Sequence, residues 1–491
     1  MKDILLIQPL ASFNNSRPVL PQDSVGIGML TIMAYLKQFG VEGEVIHIPR
    51  ALSTGYTLDN VFERIKEANP KLIAISLNWL HFSEGALQLA SMLREMLPNT
   101  TIVIGGQHAT LFAEEILECS SDIDGITVGE SERTFYYLIK ELKRGNRKIP
   151  KGIPGVMIND PIDGIVGSVP EIIEDLDTLP FYTYRDVWPY ADEVCAALDT
   201  VRGECLRKCS YCIESKTNYL QGRKKFTYHS MEYLAKQIKF FVSEGTNNIT
   251  IQDSFYLLGD KKIQELCQCL KKEGIKLNIL NIFVEPTIFE DETLIALKEV
   301  ANKVSLDYGM ETGSAETAEL IGRRYDKDKL LEGLKKTSEM GIKILTWWMT
   351  GLPIGKTQLP DYKRTVLKEN MDYIDETIKC GTIPRWITPL ILFPHTDMAK
   401  NNDYYGIKPY IKTFKEFCAY SRVEANNYGV YYDLLTHETA AQNRREIIES
   451  TIALKKAVLD KVVEYRDILL SYGWTDLELE AFKNEAMGSF Y

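Results

Sequence analysis

At 491 residues the chain is long enough for two or three domains, and 45% hydrophobic with 25% charged residues is the composition of a soluble globular protein. A net charge of −11 gives no electrostatic reason to expect a nucleic-acid partner. No apolar run reaches the roughly 18 residues of a membrane span. Nine cysteines, an odd number and mostly scattered, argue against a disulfide framework and for a reducing cytoplasm. Met1 leads almost directly into the strand-like Ile4–Ile7, which predicts no signal peptide.

The first third alternates short apolar strands with amphipathic helices. Strands are predicted at Ile4–Ile7, Glu44–Ile48, Leu72–Ser76, Thr101–Gly105 and Gly125–Val128. Helices are predicted from Gly26 to Gln38, over Asp59–Ala68, Ser83–Leu97 and Ser131–Arg144, with a short one after Gly105. This pattern over residues 1–145 predicts an α/β, flavodoxin-like doubly wound domain, whose ligands sit at the C-terminal strand ends beside the switch point. The polar signals fall at those ends: Ser76 and Asn78, then Gly105, Gly106, Gln107 and His108, then Gly129 and Glu130. Paired glycines let a large planar ligand approach the backbone, although Gly-Gly after a strand is also an ordinary turn.

Residues 146–190 carry Pro150, Pro154, Pro161, Pro170, Pro180 and Pro189 and predict a wrapped connector with little regular structure. After the apolar run Cys195–Val201 come Cys205, Cys209 and Cys212, at C-x3-C-x2-C spacing. Three thiolates suit a [4Fe–4S] cluster, which normally takes four, so one metal is left open. The alternatives are a zinc site or three core thiols. Zinc would want a fourth ligand at short spacing, and the nearest downstream histidine is His229.

Over residues 191–400 strands are predicted at Ala196–Val201, Asn248–Gln252, Leu277–Phe283, Val304–Gly309, Ile342–Met349 and Ile387–Leu392, with helices between them. Six such units predict a partial (β/α)6 barrel with its chemistry at the C-terminal strand ends. Asp253 follows the second strand and Glu311, Thr312 and Gly313 follow the fourth. Gly351 begins the run to Thr357 after the fifth; that run is one residue short of a P-loop. His395 lies after the sixth strand, facing substrate or solvent. Trp347, Trp348 and Trp386 lie near the mouth, and alternate ones face inward, where aromatics more often build core than a cofactor wall. Residues 401–491 are rich in aromatics, Tyr428, Tyr431 and Tyr432 among them, then helical from His437 to Tyr472. They predict a mainly helical C-terminal domain that closes the open side of the barrel and shapes the substrate pocket.

With Tyr211 just before its last cysteine, the cysteine loop resembles that of the radical S-adenosylmethionine (radical SAM) superfamily. The runs from Gly105 to Thr110 and from Val128 to Glu132 resemble the cobalamin-binding domain found upstream of many such enzymes, over most of residues 1–145. The resemblance implies a [4Fe–4S] cluster on Cys205, Cys209 and Cys212, with SAM on the open iron as the source of a 5′-deoxyadenosyl radical. It implies SAM contacts from Tyr211, Asp253, Glu311, Thr312, Gly313 and Gly351, with Glu311 on the amino group. Cobalamin would meet Ser76, Asn78, Gly105, Gly106, Gln107, His108, Gly129 and Glu130. The Asp-x-His-x-x-Gly signature that supplies a cobalt ligand in one branch is absent, which implies no histidine on cobalt.

The activity implied is cobalamin-dependent methylation of an unactivated carbon of a small metabolite or natural-product intermediate. An external reductant such as flavodoxin or ferredoxin would serve it in the cytoplasm. Two alternatives stay open: a non-methylating radical SAM enzyme with a degenerate cobalamin domain, and a non-enzymatic corrinoid or iron–sulfur carrier.

Overall fold

The computed structural model of the chain describes residues 2–14, 25–145, 148–190, 195–214, 222–354, 362–421 and 435–488. The end of the P-loop-like run, Gly355–Thr357, and Tyr428, Tyr431 and Tyr432 lie outside the described residues. Among the described residues no helix is long and apolar enough to cross a membrane. All nine cysteines are free thiols.

The N-terminal sheet has β1 (Ile4–Gln8), β2 (Gly43–His47), β3 (Leu72–Ser76), β4 (Thr101–Gly105) and β5 (Gly125–Thr127) in the parallel order β5-β4-β3-β1-β2. Strand alternation divides its two faces. Ile4 and Leu6 of β1 pack with the Ile27–Lys37 and Glu132–Lys143 helices, whereas Leu5 and Ile7 pack with Leu58–Ala68, Ser83–Met96 and Ala113–Cys119. Local chemistry sets the helix ends: Thr57 and Asn60 form a capping box, and Asn69 stops that helix in the left-handed region just before Pro70. The order reverses between β1 and β3, so the crevice beyond their C-terminal ends is the switch point.

The connector departs from the expectation of little regular structure. β6 (Val156–Asp160) and β7 (Gly164–Gly167) form a hairpin that extends the sheet antiparallel from β5, and β8 (Val187–Trp188) joins its other edge beside β2. The hairpin turns at Asp160, whose Oδ1 accepts from the Ile162 and Asp163 amides, and closes at Gly164 with φ +72°. Six prolines obscured a short Asp-Gly turn between apolar pairs. The connector also anchors the next unit: the Tyr182 hydroxyl donates to the Ala197 carbonyl and the Ala197 amide donates to the Tyr184 hydroxyl.

The second sheet has six parallel strands in the order β9-β12-β13-β14-β15-β16 and is open between its ends. They are β9 (Cys195–Ala197), β12 (Asn248–Ile251), β13 (Leu277–Val284), β14 (Ala301–Glu311), β15 (Lys343–Thr350) and β16 (Thr382–Pro389). Between β9 and β12, β10 (Val201–Arg202) pairs antiparallel with β11 (Thr227–Tyr228), so the predicted first strand breaks after Ala197. The sixth strand starts five residues before its predicted position. Pro384 and Pro389 obscured it, yet both are tolerated because β16 is an edge strand, bonded on one side only.

One apolar core runs without interruption from Ile4 and Leu6 through Tyr182 and Tyr184 to Leu234, Ile249 and Leu306. The C-terminal residues include the short strands β17 (Ile407–Pro409) and β18 (His437–Thr439), so the helical pattern begins later than predicted, at Arg444. The Arg444–Glu464 helix packs on β16 and on Tyr362–Lys379, at the barrel's open edge. Phe414–Ser421 crosses to the N-terminal unit and packs on Ser83–Met96.

Candidate active site

The strand ends of the two sheets face one another across a cavity of about 700 Å3, within the range of small-molecule and cofactor sites. Its N-terminal wall comes from Ser76, Asn78, Gly105, Gly106, Gln107, Gly129 and Glu130; Asp253, Arg202, Gly203, Glu214, Trp347 and Trp386 come from the barrel side. Seven of the eight residues expected at cobalamin are thereby brought together. The eighth, His108, is not. It is 1% exposed and turns away from the cavity among Phe112, Phe393, Phe414 and Phe417, with no hydrogen-bond partner on either ring nitrogen among the described residues. The Gln107–Leu111 helix points the two neighbours different ways, and the aromatic box buries the second. Burial pushes His108 down to about 3 and His81, which lines the cavity, down to about 4. His395 is half-buried against Phe112 and is not part of the wall.

The N-terminal wall is shaped by missing side chains. Gly106 has φ +118°, and a Cβ there would lie 2.6 Å from Asn78 Oδ1 and 2.8 Å from the Leu77 backbone. Asn78 Oδ1 in turn accepts from the Gln107 amide at 3.2 Å. Two polar atoms of this wall, Gln8 Nε2 and Thr127 Oγ1, are buried without a partner among the described residues. A glycine-floored surface with unmet neutral polar atoms, whose acids Glu130 and Glu132 are paired with arginines, fits a large ligand fringed with amides, as a corrinoid is.

The cysteine loop leaves the β10–β11 neck. Gly203 has φ +112°, and a Cβ there would meet the Lys225 carbonyl at 2.2 Å, so only glycine allows the crossing. Ser210 is pinned at both backbone groups, its amide donating to Ile321 and its carbonyl accepting from Met398. Cys209 is buried, Cys205 and Cys212 are half-buried, and the apolar neighbours are Ile321, Leu352, Leu390, Leu392 and Met398. Burial pushes the Cys209 and Cys212 thiols up, and among the described residues no three Cys, His, Asp or Glu side chains are gathered as a metal site, so the fit rests on the donor chemistry of the loop. That donor set in an apolar setting fits an iron–sulfur cluster. Glu214 is exposed where it borders the cavity; desolvation by nearby protein raises its carboxyl, against a hydrogen bond from the Gln107 side chain.

Beside the loop lies an ion network that no motif announced. Arg323 donates to Glu285 Oε2 at 2.7 Å, to Glu311 Oε1 at 2.5 Å and to the Tyr211 hydroxyl at 3.2 Å, while Arg207 takes the other oxygen of Glu285. Glu311 is 6% exposed and holds a left-handed backbone, φ +64°, unusual for a side-chain-bearing residue. Arg323 was visible in the sequence only as a charge 12 residues beyond Glu311.

Of the residues expected at SAM, Asp253 alone belongs to the described cavity lining. Thr312 and Gly313 are bound to Asn370 Oδ1, and their carbonyls accept from Tyr325 and Lys327. Gly351, at φ +68°, accepts from His437 Nε2 at 2.8 Å and abuts Ile447 of the C-terminal helix. These glycines serve close packing of backbone, the second meaning of a strand-end glycine. Asp253 reaches the cavity, but its carboxylate accepts from the Thr200 and Val201 amides and braces the turn before the loop. The described lining ends at Phe393, so the C-terminal extension covers the barrel edge without shaping the described cavity wall.

Comparison with known proteins matches residues 19–139 to the B12 binding domain and residues 202–361 to the Radical SAM superfamily. An uncharacterized methyltransferase of Pyrococcus horikoshii is 25% identical over 331 residues, covering 65% of this chain and 69% of the relative. The anaerobic magnesium-protoporphyrin IX monomethyl ester cyclase of Rubrivivax gelatinosus is 23% identical over 337 residues, 65% of this chain and 58% of its own length, under two thirds of that protein. Among solved structures, the radical S-adenosylmethionine methyltransferase TsrM of Kitasatospora setae, with cobalamin and a [4Fe–4S] cluster bound, shares the fold at TM-score 0.66 and 14% identity, covering 94% of this chain and 89% of that one. The chain thus joins a B12 binding domain to a radical SAM domain, the pairing of cobalamin-dependent radical SAM enzymes, whose cofactors are a [4Fe–4S] cluster, S-adenosylmethionine and cobalamin.

Proposed function

We propose that this enzyme methylates an unactivated carbon of a small metabolite or natural-product intermediate, with cobalamin as methyl carrier. The observation that carries the reading is the single cavity walled on one side by the β3, β4 and β5 turns and on the other by the barrel mouth. Methyl transfer to a radical needs carrier and radical source within reach of one substrate, and this cavity lies between the glycine-bearing turns and Gly203 and Glu214 at the two ends of the cysteine loop, which supports that reading. The names of the Pyrococcus relative and of TsrM point the same way.

When bound, the cofactors would supply the reactivity, a radical generated from SAM at the cluster and a methyl group carried by cobalamin. The chain's part is positioning and exclusion. Cys205, Cys209 and Cys212 would hold the cluster, with Cys209 and Cys212 set against the apolar Ile321, Leu352, Leu390, Leu392 and Met398. One guanidinium between two carboxylates, Glu285–Arg323–Glu311, is the complement of an amino-acid zwitterion and would seat the methionine end of SAM. Ser76, Asn78 and Gly105–Gln107 would bed the corrinoid by shape. Trp79, Trp347, Trp386 and Phe393 leave the substrate a largely aromatic wall. An external reductant and a reducing cytoplasm complete the scheme.

The cyclase relative supports a second reading, radical chemistry without methyl transfer. Anaerobic purification and reconstitution separate the two. Methylation predicts retained corrinoid absorption bands, and both 5′-deoxyadenosine and S-adenosylhomocysteine from SAM with candidate substrates. Corrinoid-free protein that still forms 5′-deoxyadenosine would overturn methylation in favour of the second reading. Replacing any of the three loop cysteines with alanine is expected to abolish cluster iron and both products.

A further inference from the structure

The cysteine loop is bounded by two side chains that reach across to the N-terminal unit. At its start, Arg202 donates to Glu132 Oε1 at 2.8 Å, at the head of the Glu132–Lys143 helix, and to Glu130 Oε2 at 3.4 Å, on the turn after β5, while its Nε holds Asp199 at 3.0 Å. Arg223, beyond the loop and 1% exposed, takes Glu130 from the other side at 2.8 Å and donates to the Ile173 carbonyl at 2.6 Å. At the loop's far end Glu214, two residues past Cys212, accepts from the Gln107 side chain on the turn after β4. The loop therefore hangs at both ends from the two turns that present Gly105, Gly106 and Gly129 to the cavity.

A buried network of this kind contributes little net stability, because desolvation of each charge offsets the attraction. Its forked, two-sided geometry instead admits one arrangement: Glu130 is shared between two guanidiniums, and Glu132 is further held by the Thr31 hydroxyl at 3.0 Å. A ligand seated on the turns after β4 and β5 orders the residues that Arg202 and Glu214 grip.

We propose that the Arg202–Glu130/Glu132 and Glu214–Gln107 bridges form an inter-domain clasp through which corrinoid binding sets the position of the cluster loop. Arg202 and Glu214 are positioning residues in this arrangement, and the inference rests on the corrinoid reading of the cavity. By linkage the effect is reciprocal, so an ordered loop tightens corrinoid binding by the same factor.

The test is amide hydrogen exchange on the full chain, free of cluster, with and without hydroxocobalamin. In the unsubstituted protein cobalamin is expected to slow exchange in peptides spanning residues 76–78, 105–107 and 129–132, and also by about fivefold or more in the loop at residues 203–213. In the double variant R202Q/E214A the turns stay protected and the loop's protection is lost. R202K, which keeps the charge without the fork, recovers part of it; a merely structural role predicts faster exchange throughout the barrel and no selective loss. If the double variant does not fold, E132Q carries the same comparison. Loop protection undiminished in these variants, or absent from the unsubstituted protein while its turns are protected, overturns the clasp. No protection of the turns in the unsubstituted protein strikes the corrinoid reading itself, and the clasp with it.

Discussion

The N-terminal wall of the cavity and the ion network beside the cysteine loop are made by opposite means. The N-terminal wall works by subtraction: Gly105, Gly106 and Gly129 withhold side chains, and Ser76, Asn78 and Gln107 supply neutral polar groups. Its two acids, Glu130 and Glu132, are already answered by arginines of the other half. The barrel's ion network, which stands outside the described cavity lining, works by charge, with Arg207, Glu285, Arg323 and Glu311 knitted together beside the cysteine loop. A wall of the first kind suits a large ligand held over many weak contacts, and it fails when volume is added. A network of the second kind suits a small zwitterion, and it fails when charge is removed.

The largest effect expected from this contrast is at Gly106. Gly106→Val places a branched Cβ where only 2.6 Å separates it from Asn78 Oδ1, on a backbone at φ +118°. Corrinoid retention is expected to vanish, with stability lowered by about 2 kcal/mol or more, read by visible absorption and by denaturant unfolding. Retained corrinoid at normal stoichiometry would break the claim that this wall works by shape. Next in size is Glu311→Gln, isosteric but uncharged. It is expected to raise KM for SAM roughly 10- to 100-fold, the worth of a charge-assisted hydrogen bond, with corrinoid content unchanged. An equal loss of corrinoid would mean that the wall and the network are not separable.

The smallest effect concerns His108, which belongs to neither the wall nor the network. Its folded pKa lies at about 3, below the ordinary 6.5, so the unfolded chain binds a proton that the folded one refuses. Its neutral burial is free of this penalty above pH 6.5, and stability is lost as pH falls from there towards 3. His108→Phe is expected to flatten that decline by up to about 1.4 kcal/mol per pH unit while corrinoid stays bound, as equilibrium unfolding at several pH values would report.

Much of this was legible because it rests on local rules. Ile4–Ile7, Leu72–Ser76 and Thr101–Gly105 are apolar on both faces, so they read as buried parallel strands. Their polar ends fell where a doubly wound sheet places ligands, and seven of the eight residues named there do line the cavity. The same logic did not announce the partners of Thr312, Gly313 and Gly351. Strand position says which end of a barrel a residue occupies, not whether a helix such as Tyr362–Lys379 has already taken its backbone groups. The β6–β7 hairpin and β16 were hidden by prolines that an edge or a turn tolerates and an interior strand would not.

By itself the sequence determined the order of the elements, the glycine-bearing turns and the three cysteines with their spacing, because each depends on residues close together along the chain. Only the tertiary structure decided that Arg202 answers Glu130, that Arg323 answers both Glu285 and Glu311, and that Gln107 faces the cavity while His108 is sealed among phenylalanines. Those choices join residues far apart in the chain, and charge pairing and burial are settled by which surfaces meet when the two sheets close on one another.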